Sequence, residues 1–420
     1  MTSVVNRLQP LSGNRWLIFL SIALLLAACS PKLQPVAVRP VRPVHKEPEN
    51  PVEKTPPVKE NKPAAPKTPT VALLLPFGLD HLAPGAAAYT TSSLREADIA
   101  IGYYEGFKLA LDSLTGQGYD YKLMVYDTRG NKAQAHSLAN NPAIRASDLV
   151  VGPVFPEDIK AFAGNFTSVH QPVVSPLSPS SPSAYKNPKL ITMIPPLEYH
   201  AWAAAKYIKE KINPPKIFVL RSGFNEENEY LIPFKKAIDS LGKKHIKIIT
   251  LTVIHGQLNS LLPQLNATGA NVFIIPAKDQ HFLTITLRSL DSLHNLYPVT
   301  VFGHPGWVNL SFLKAELLQR LDTHITSSDH IDYKADNVIA FMRRYRETYH
   351  TEATAFAIKG FDEGMYLGRQ LSADNLKNLA QTDFSGLHND FKFERKAGMG
   401  WINTHVSVYK YANFELKKVE

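Results

Sequence analysis

The sequence predicts an α/β protein built as two doubly wound, parallel-sheet lobes with a cleft between them, preceded by a proline-rich stalk. Three observations carry this. Short, continuously apolar runs alternate with helical periodicity from Val71 onward. Continuous rather than alternating apolarity marks strands covered on both faces, as in parallel sheets. The runs form two series of similar spacing, with strand starts 50, 27 and 24 residues apart in the first and 31, 24 and 27 in the second. Before Val71 the composition cannot build a core: eleven of residues 31–69 are proline, interspersed with Lys, Glu and Val.

Taken in order, the N-terminus reads as a lipoprotein signal peptide, residues 1–29. Arg7 and Arg15 precede the apolar run Trp16–Ala28, which is short for a membrane span. The run ends in Leu26-Ala27-Ala28-Cys29-Ser30, which resembles a bacterial lipobox, with Cys29 as the lipidated residue. The alternative is an ordinary signal peptide. Cys29 is the sole cysteine of 420 residues, so no second thiol exists for a disulfide. Residues 30–69 read as a linker. Extended as polyproline II at about 3.1 Å per residue, it would reach on the order of 120 Å. The net charge is +9, but residues 1–69 carry +6 of it. The body has no basic cluster interleaved with aromatics, so no nucleic-acid partner is expected.

The first strand series is 71–77, 121–128, 148–154 and 172–178; the second is 216–222, 247–253, 271–277 and 298–304. Helical spacing fills the gaps, as in Ile99, Tyr103, Phe107, Ala110 and Leu114, and again over 226–241 and 280–293. Strand, helix, strand in succession implies right-handed crossovers. The long first interval comes from Gly78–Glu96, read as a loop at the carboxyl edge of the sheet or as a surface insertion. Two more helices are expected over 335–349 and 355–371. A closing hairpin over 405–419 is centred on Ala412-Asn413.

Four stretches resemble the type I periplasmic-binding-protein fold of the leucine/isoleucine/valine-binding proteins. They are "VALLLPF" (71–77), "DLVVGPVFPEDIKAFA" with "QPVVSPLSPSSPSAYKNPKLITMIPP", the helix pair over 341–371 with Tyr345, Tyr349, Gly360, Phe361 and Asp362, and "FSGLHNDFKFERKAGMGWINTHVSVYKY". In the last, Asn389 stands where the family's second glycine would fall. The resemblance spans 70–420. It implies lobe 1 over about 70–195 plus part of 330–375, and lobe 2 over about 196–330 plus about 376–420, hinged near Pro195-Pro196 and the later crossings. It implies a non-enzymatic binder of a small polar, amino-acid-like ligand that feeds an ABC importer, anchored to a membrane by its N-terminal lipid. Ser30 is of the kind that permits sorting to an outer membrane, facing the periplasm. The alternative resemblance is to lipoproteins that activate peptidoglycan synthases. It implies an envelope scaffold or regulator with cell-wall synthesis partners and a vestigial cleft.

Ligand contacts are expected where strands end. Family receptors grip a carboxylate at the helix after the third strand with small hydroxyls and free N–H groups. Here Phe155-Pro156-Glu157-Asp158 stand there; Pro156 offers no N–H, and the acids would repel a carboxylate. The same acids also read as ordinary helix-start residues. Ser175, Ser178 and Ser180 follow the fourth strand, and by resemblance Ser178 and Ser180 fall near the amino and carboxylate contacts. A Pro/Ser loop is equally ordinary turn chemistry. In the second lobe the candidates are Arg221, Phe224 (where the family often has a stacking tyrosine), Lys278, His304 and Trp307. No G-x-S-x-G, P-loop or H-E-x-x-H is present, and no cofactor or metal is expected.

Overall fold

The computed structural model describes residues 68–85, 87–165, 171–179, 181–185, 187–242 and 245–420. Cys29, the signal peptide and nearly all of the stalk lie outside the described residues, as does Ser180.

The first lobe begins with β1 (Thr70–Leu75), α1 (Thr91–Thr115), β2 (Lys122–Asp127), α2 (Lys132–Leu138), α3 (Pro142–Arg145), β3 (Leu149–Val151), α4 (Pro156–Asn165), β4 (Val173–Ser175), α5 (Pro182–Tyr185) and β5 (Leu190–Thr192). The chain then crosses to α6 (Leu197–Tyr207), β6 (Lys216–Arg221), α7 (Asn228–Leu241), β7 (Lys247–Thr252), β8 (Asn271–Ile275), α8 (Gln280–His294), β9 (Val299–Gly303), α9 (Ala315–Arg320) and β10 (His324–Ser327). It returns for α10 (Asp336–Tyr349), α11 (Ala355–Ser372), β11 (Phe384–Ser385), β12 (Asp390–Phe391), β13 (Phe393–Arg395) and β14 (Trp401–Asn403), and crosses a third time to β15 (Ser407–Ala412) and β16 (Glu415–Lys418).

Two seven-stranded sheets result, ordered β13-β14-β5-β4-β3-β1-β2 and β16-β15-β10-β9-β8-β6-β7. Within each, the first five strands in sequence pair in parallel and in the same order. The order reverses between β1 and β3 in one sheet and between β6 and β8 in the other. Such a reversal splays the loops apart at the carboxyl edge and leaves a crevice.

All eight strands expected from apolar runs are present, and several begin or stop where a proline or glycine stands, as at Pro76, Gly152, Pro172, Pro276 and Pro298. One boundary differs. The resemblance places 376–420 whole in the second lobe, but β14 pairs with β5, and β13 with β14, in the first sheet. Only from Ser407 onward does the chain join the second sheet, through β15 against β10. Trp401, Phe393 and Phe391 pack into the first-lobe core beside Tyr366, which explains the placement.

Helices α1 and α11 lie backbone to backbone over the first sheet. A Cβ on Gly106 would sit 1.9 Å from the Ala357 carbonyl oxygen, and one on Gly360 2.2 Å from that of Tyr103. Glycine at both positions lets the axes approach that closely. Gly78–Glu96 is not all loop: α1 starts at Thr91, capped reciprocally by Thr90 and Ser93. The remainder is pinned by Asp127, whose carboxylate accepts the Gly78 and Leu79 N–H groups at 3.1 and 2.7 Å. Among the described residues no helix is long and apolar enough to cross a membrane.

Candidate functional site

The loops leaving the two reversal points hold Phe155, Arg221, Phe224 and Lys278, while Ser175 and Ser178 lie at and beyond the end of β4 and His304 and Trp307 follow β9. After β3 the backbone turns at Gly152, whose φ of +97° places a hypothetical Cβ 2.2 Å from the Leu74 oxygen. Phe155 follows, half-buried against the first-lobe core. The next two acids then part company. Glu157 is exposed and pairs with Lys132 at 2.8 Å. Asp158 is only 3 % exposed, and its Oδ2 finds no hydrogen-bond partner. Burial, reinforced by the charge of Glu96, pushes the Asp158 carboxyl up to about 6.

The serine loop folds on itself. The Ser175 hydroxyl donates to the Ser178 carbonyl at 3.1 Å, and both residues are buried. A hydroxyl bonded inside its own turn closes the loop. Ser175 and Ser178 are both buried, with the Ser175 hydroxyl turned into its own loop.

In the second lobe, Arg221 is held rather than offered. Its Nε donates to Glu227 Oε2 at 3.1 Å, and a terminal nitrogen donates to the Phe224 carbonyl. Glu227, itself buried, also accepts the Ser222 N–H and hydroxyl at 2.9 and 2.7 Å. One carboxylate therefore organises the whole turn after β6, a role sequence reasoning missed because Glu227 lies beyond the strand end. Phe224 stands out from this turn, 57 % exposed. With Ser222, Val253, His255, Asp279 and Phe282 it lines a cavity of about 230 Å³.

Trp307 is packing, not cleft wall: it is buried in the second-lobe core, and its indole N–H donates to the Ala277 carbonyl at 2.8 Å. His304 caps the short turn before it, its Nδ1 accepting the Gly306 N–H at 2.9 Å, which leaves the ring proton on Nε2. Burial, then Lys278 and His200, push the His304 imidazole down to about 3, so it stays neutral. His200, whose Nδ1 lies 3.1 Å from the Thr326 hydroxyl, is pushed down to about 4 by burial. Beside His304 lies Tyr230, whose buried hydroxyl finds no partner among the described residues. Lys278 is exposed and makes no ion pair there either. Phe155, Phe224, Lys278 and His304 thus remain near solvent, while Ser175, Ser178, Arg221 and Trp307 are committed internally.

Among the described residues no group of His, Cys, Asp or Glu is arranged to hold a metal ion. No protein-family description and no curated protein matches the chain. Solved structures do. An ABC transporter substrate-binding protein from Desulfitobacterium hafniense, in complex with Leu, aligns with a TM-score of 0.54 at 15% identity, over 84% of this chain and 100% of its own. A candidate branched-chain amino acid ABC transporter from Rhodospirillum rubrum aligns with a TM-score of 0.60 at 14% identity, over 84% and 100%. An ABC-type branched-chain amino acid transporter from Rhodopseudomonas palustris gives 0.57 at 12%, over 84% and 95%. With its two sheets of matching strand order, the chain has the type I periplasmic-binding-protein fold.

Proposed function

We propose that this is a cell-envelope lipoprotein, anchored through Cys29 and raised on its proline-rich segment, whose two lobes bind a small polar ligand without chemical turnover. One observation carries the ligand reading. In each sheet the strand order reverses once, and at both reversal points an aromatic ring and a charged group stand at the carboxyl edge. These are Phe155 with Asp158 in the first lobe and Phe224 with Lys278 in the second. Loops at such a crevice supply ligand contacts in open α/β sheets. The solved structures of this fold include one in complex with Leu, which supports the same use of the fold.

A second reading is favoured by the internal bonding of Ser175, Ser178 and Arg221. On that reading the cleft is vestigial and the body is an outer-membrane scaffold that engages cell-wall synthesis proteins. Thermal unfolding across amino acids, amines, small carboxylates, sugars and peptidoglycan fragments separates the two. A binder gains stability with its ligand. No shift with any compound, together with recovery of cell-wall enzymes in a pulldown, would overturn the ligand reading.

A further inference from the structure

We propose that the first lobe carries a subsite for an ammonium group, built by Asp158, Glu96 and Phe155 at the reversal point of its sheet. The proposal rests on the ligand-binding reading and specifies the charge of the ligand at that wall. It inverts the carboxylate contact that the family's receptors make there.

The placement comes from topology. Glu96 lies in the second turn of α1, which follows the β1 loop; Phe155 and Asp158 open α4, which follows the β3 loop. β1 and β3 are the neighbours between which the strand order reverses. Glu96 and Phe155 meet at Gly130, in the β2 loop: a Cβ there would fall 2.4 Å from Glu96 Oε2 and 3.7 Å from the Phe155 ring, and Asp158 lies three residues beyond Phe155.

The chemistry comes from what is missing. The charge of Glu96 acts on Asp158, as do those of Lys132 and Glu157. Lys132 is already bonded to Glu157 at the surface. Glu96 has a single distant contact, the Ser92 hydroxyl at 3.4 Å. Asp158 is buried with an oxygen that lacks any donor. A buried carboxyl without a partner is costly, and this one is raised accordingly by burial and by Glu96. An ammonium supplies three donors and the absent positive charge. The Phe155 ring, close to Glu96 at Gly130, can add cation–π attraction to an ammonium that lies over it. A ligand carboxylate at the same place would meet two like charges.

Calorimetric titration of the purified protein with 1,5-diaminopentane, lysine, 1,5-pentanediol and glutarate tests this. The two amines should bind, and the diol and the dicarboxylate should not engage this wall. Asp158→Asn should weaken amine binding by about ten- to a hundredfold, the size of a hydrogen bond to a charged group. Glu96→Gln, on a half-exposed helical position, should act in the same direction and serves if the first variant folds poorly. Unchanged amine affinity in both variants overturns the subsite. Binding of glutarate or the diol without the amines overturns it too, while leaving the ligand-binding reading standing. Binding of no compound here or across the broader panel overturns both.

Discussion

Replacing Glu363 with glutamine should stabilise the protein by an amount that grows with pH. Glu363 is fully buried between α1 and α11. Its Oε2 accepts the Tyr103 hydroxyl at 2.7 Å, while Oε1 has no partner. The nearest cation, Lys359, is bonded to Asp329. Burial holds the carboxyl well above its ordinary value of 4.5, so the folded protein keeps a proton that the unfolded chain releases. That stability is fully present below pH 4.5 and is lost as pH climbs toward the folded pKa. The slope is at most about 1.4 kcal/mol per pH unit. Between pH 5 and pH 7 the wild type should therefore lose stability steadily from this one group. Glutamine keeps the acceptor for Tyr103 and has no proton to lose. Urea unfolding of both proteins at pH 5, 6 and 7 should show the gap opening in favour of Glu363→Gln at that slope. A gap that does not change with pH would mean Glu363 is ionised in the fold, and the burial argument would be wrong.

The β15–β16 turn offers a local test. Asn413 and Phe414 both have positive φ, +54° and +63°, and Phe414 is 63 % exposed. Phe414→Gly removes a left-handed, bulky residue from a two-residue hairpin turn that favours Asn-Gly, and should raise stability by about 1 kcal/mol in thermal unfolding. Glu227→Ala strands Arg221 and frees the Ser222–Phe224 turn. It should cost about 3 kcal/mol, with a matching loss of protease resistance in that turn.

Most of the fold was legible because buried parallel strands advertise themselves. "VALLL" and "NVFII" need no context to read as strands. The strands that escaped are short or polar. β5 (Leu-Ile-Thr) and β14 (Trp-Ile-Asn) have three residues each, and each holds only two apolar residues before a polar one. β10 reads His-Ile-Thr-Ser, and its polar residues are buried because His324 stacks on Phe302 and Thr326 meets His200. The start of α1 reads as loop in the sequence because a Ser/Thr run favours turns unless it caps a helix, as Thr90 and Ser93 do. The hairpin was seen, with its turn one residue further on, at Asn413-Phe414.

The site was legible in place but not in role. Strand ends located the candidate residues, yet whether a hydroxyl or guanidinium faces a ligand depends on its partner in space. Ser175 bonds within its own turn and Arg221 bonds Glu227, six residues on. Asp158 shows the converse. A residue that looked like an ordinary helix start is the buried acid whose oxygen has no partner, and only the third dimension separates it from its exposed neighbour Glu157.

The central claim is that the two lobes hold a small polar ligand. The most direct measurement is the unfolding midpoint of the protein as the concentration of each compound that shifts it is raised. Mass action requires the midpoint to keep climbing with the logarithm of concentration above Kd, and about 2.7 kcal/mol of added stability is expected at a hundredfold excess over Kd. A midpoint that stays flat across the whole panel, at millimolar concentration, would contradict it.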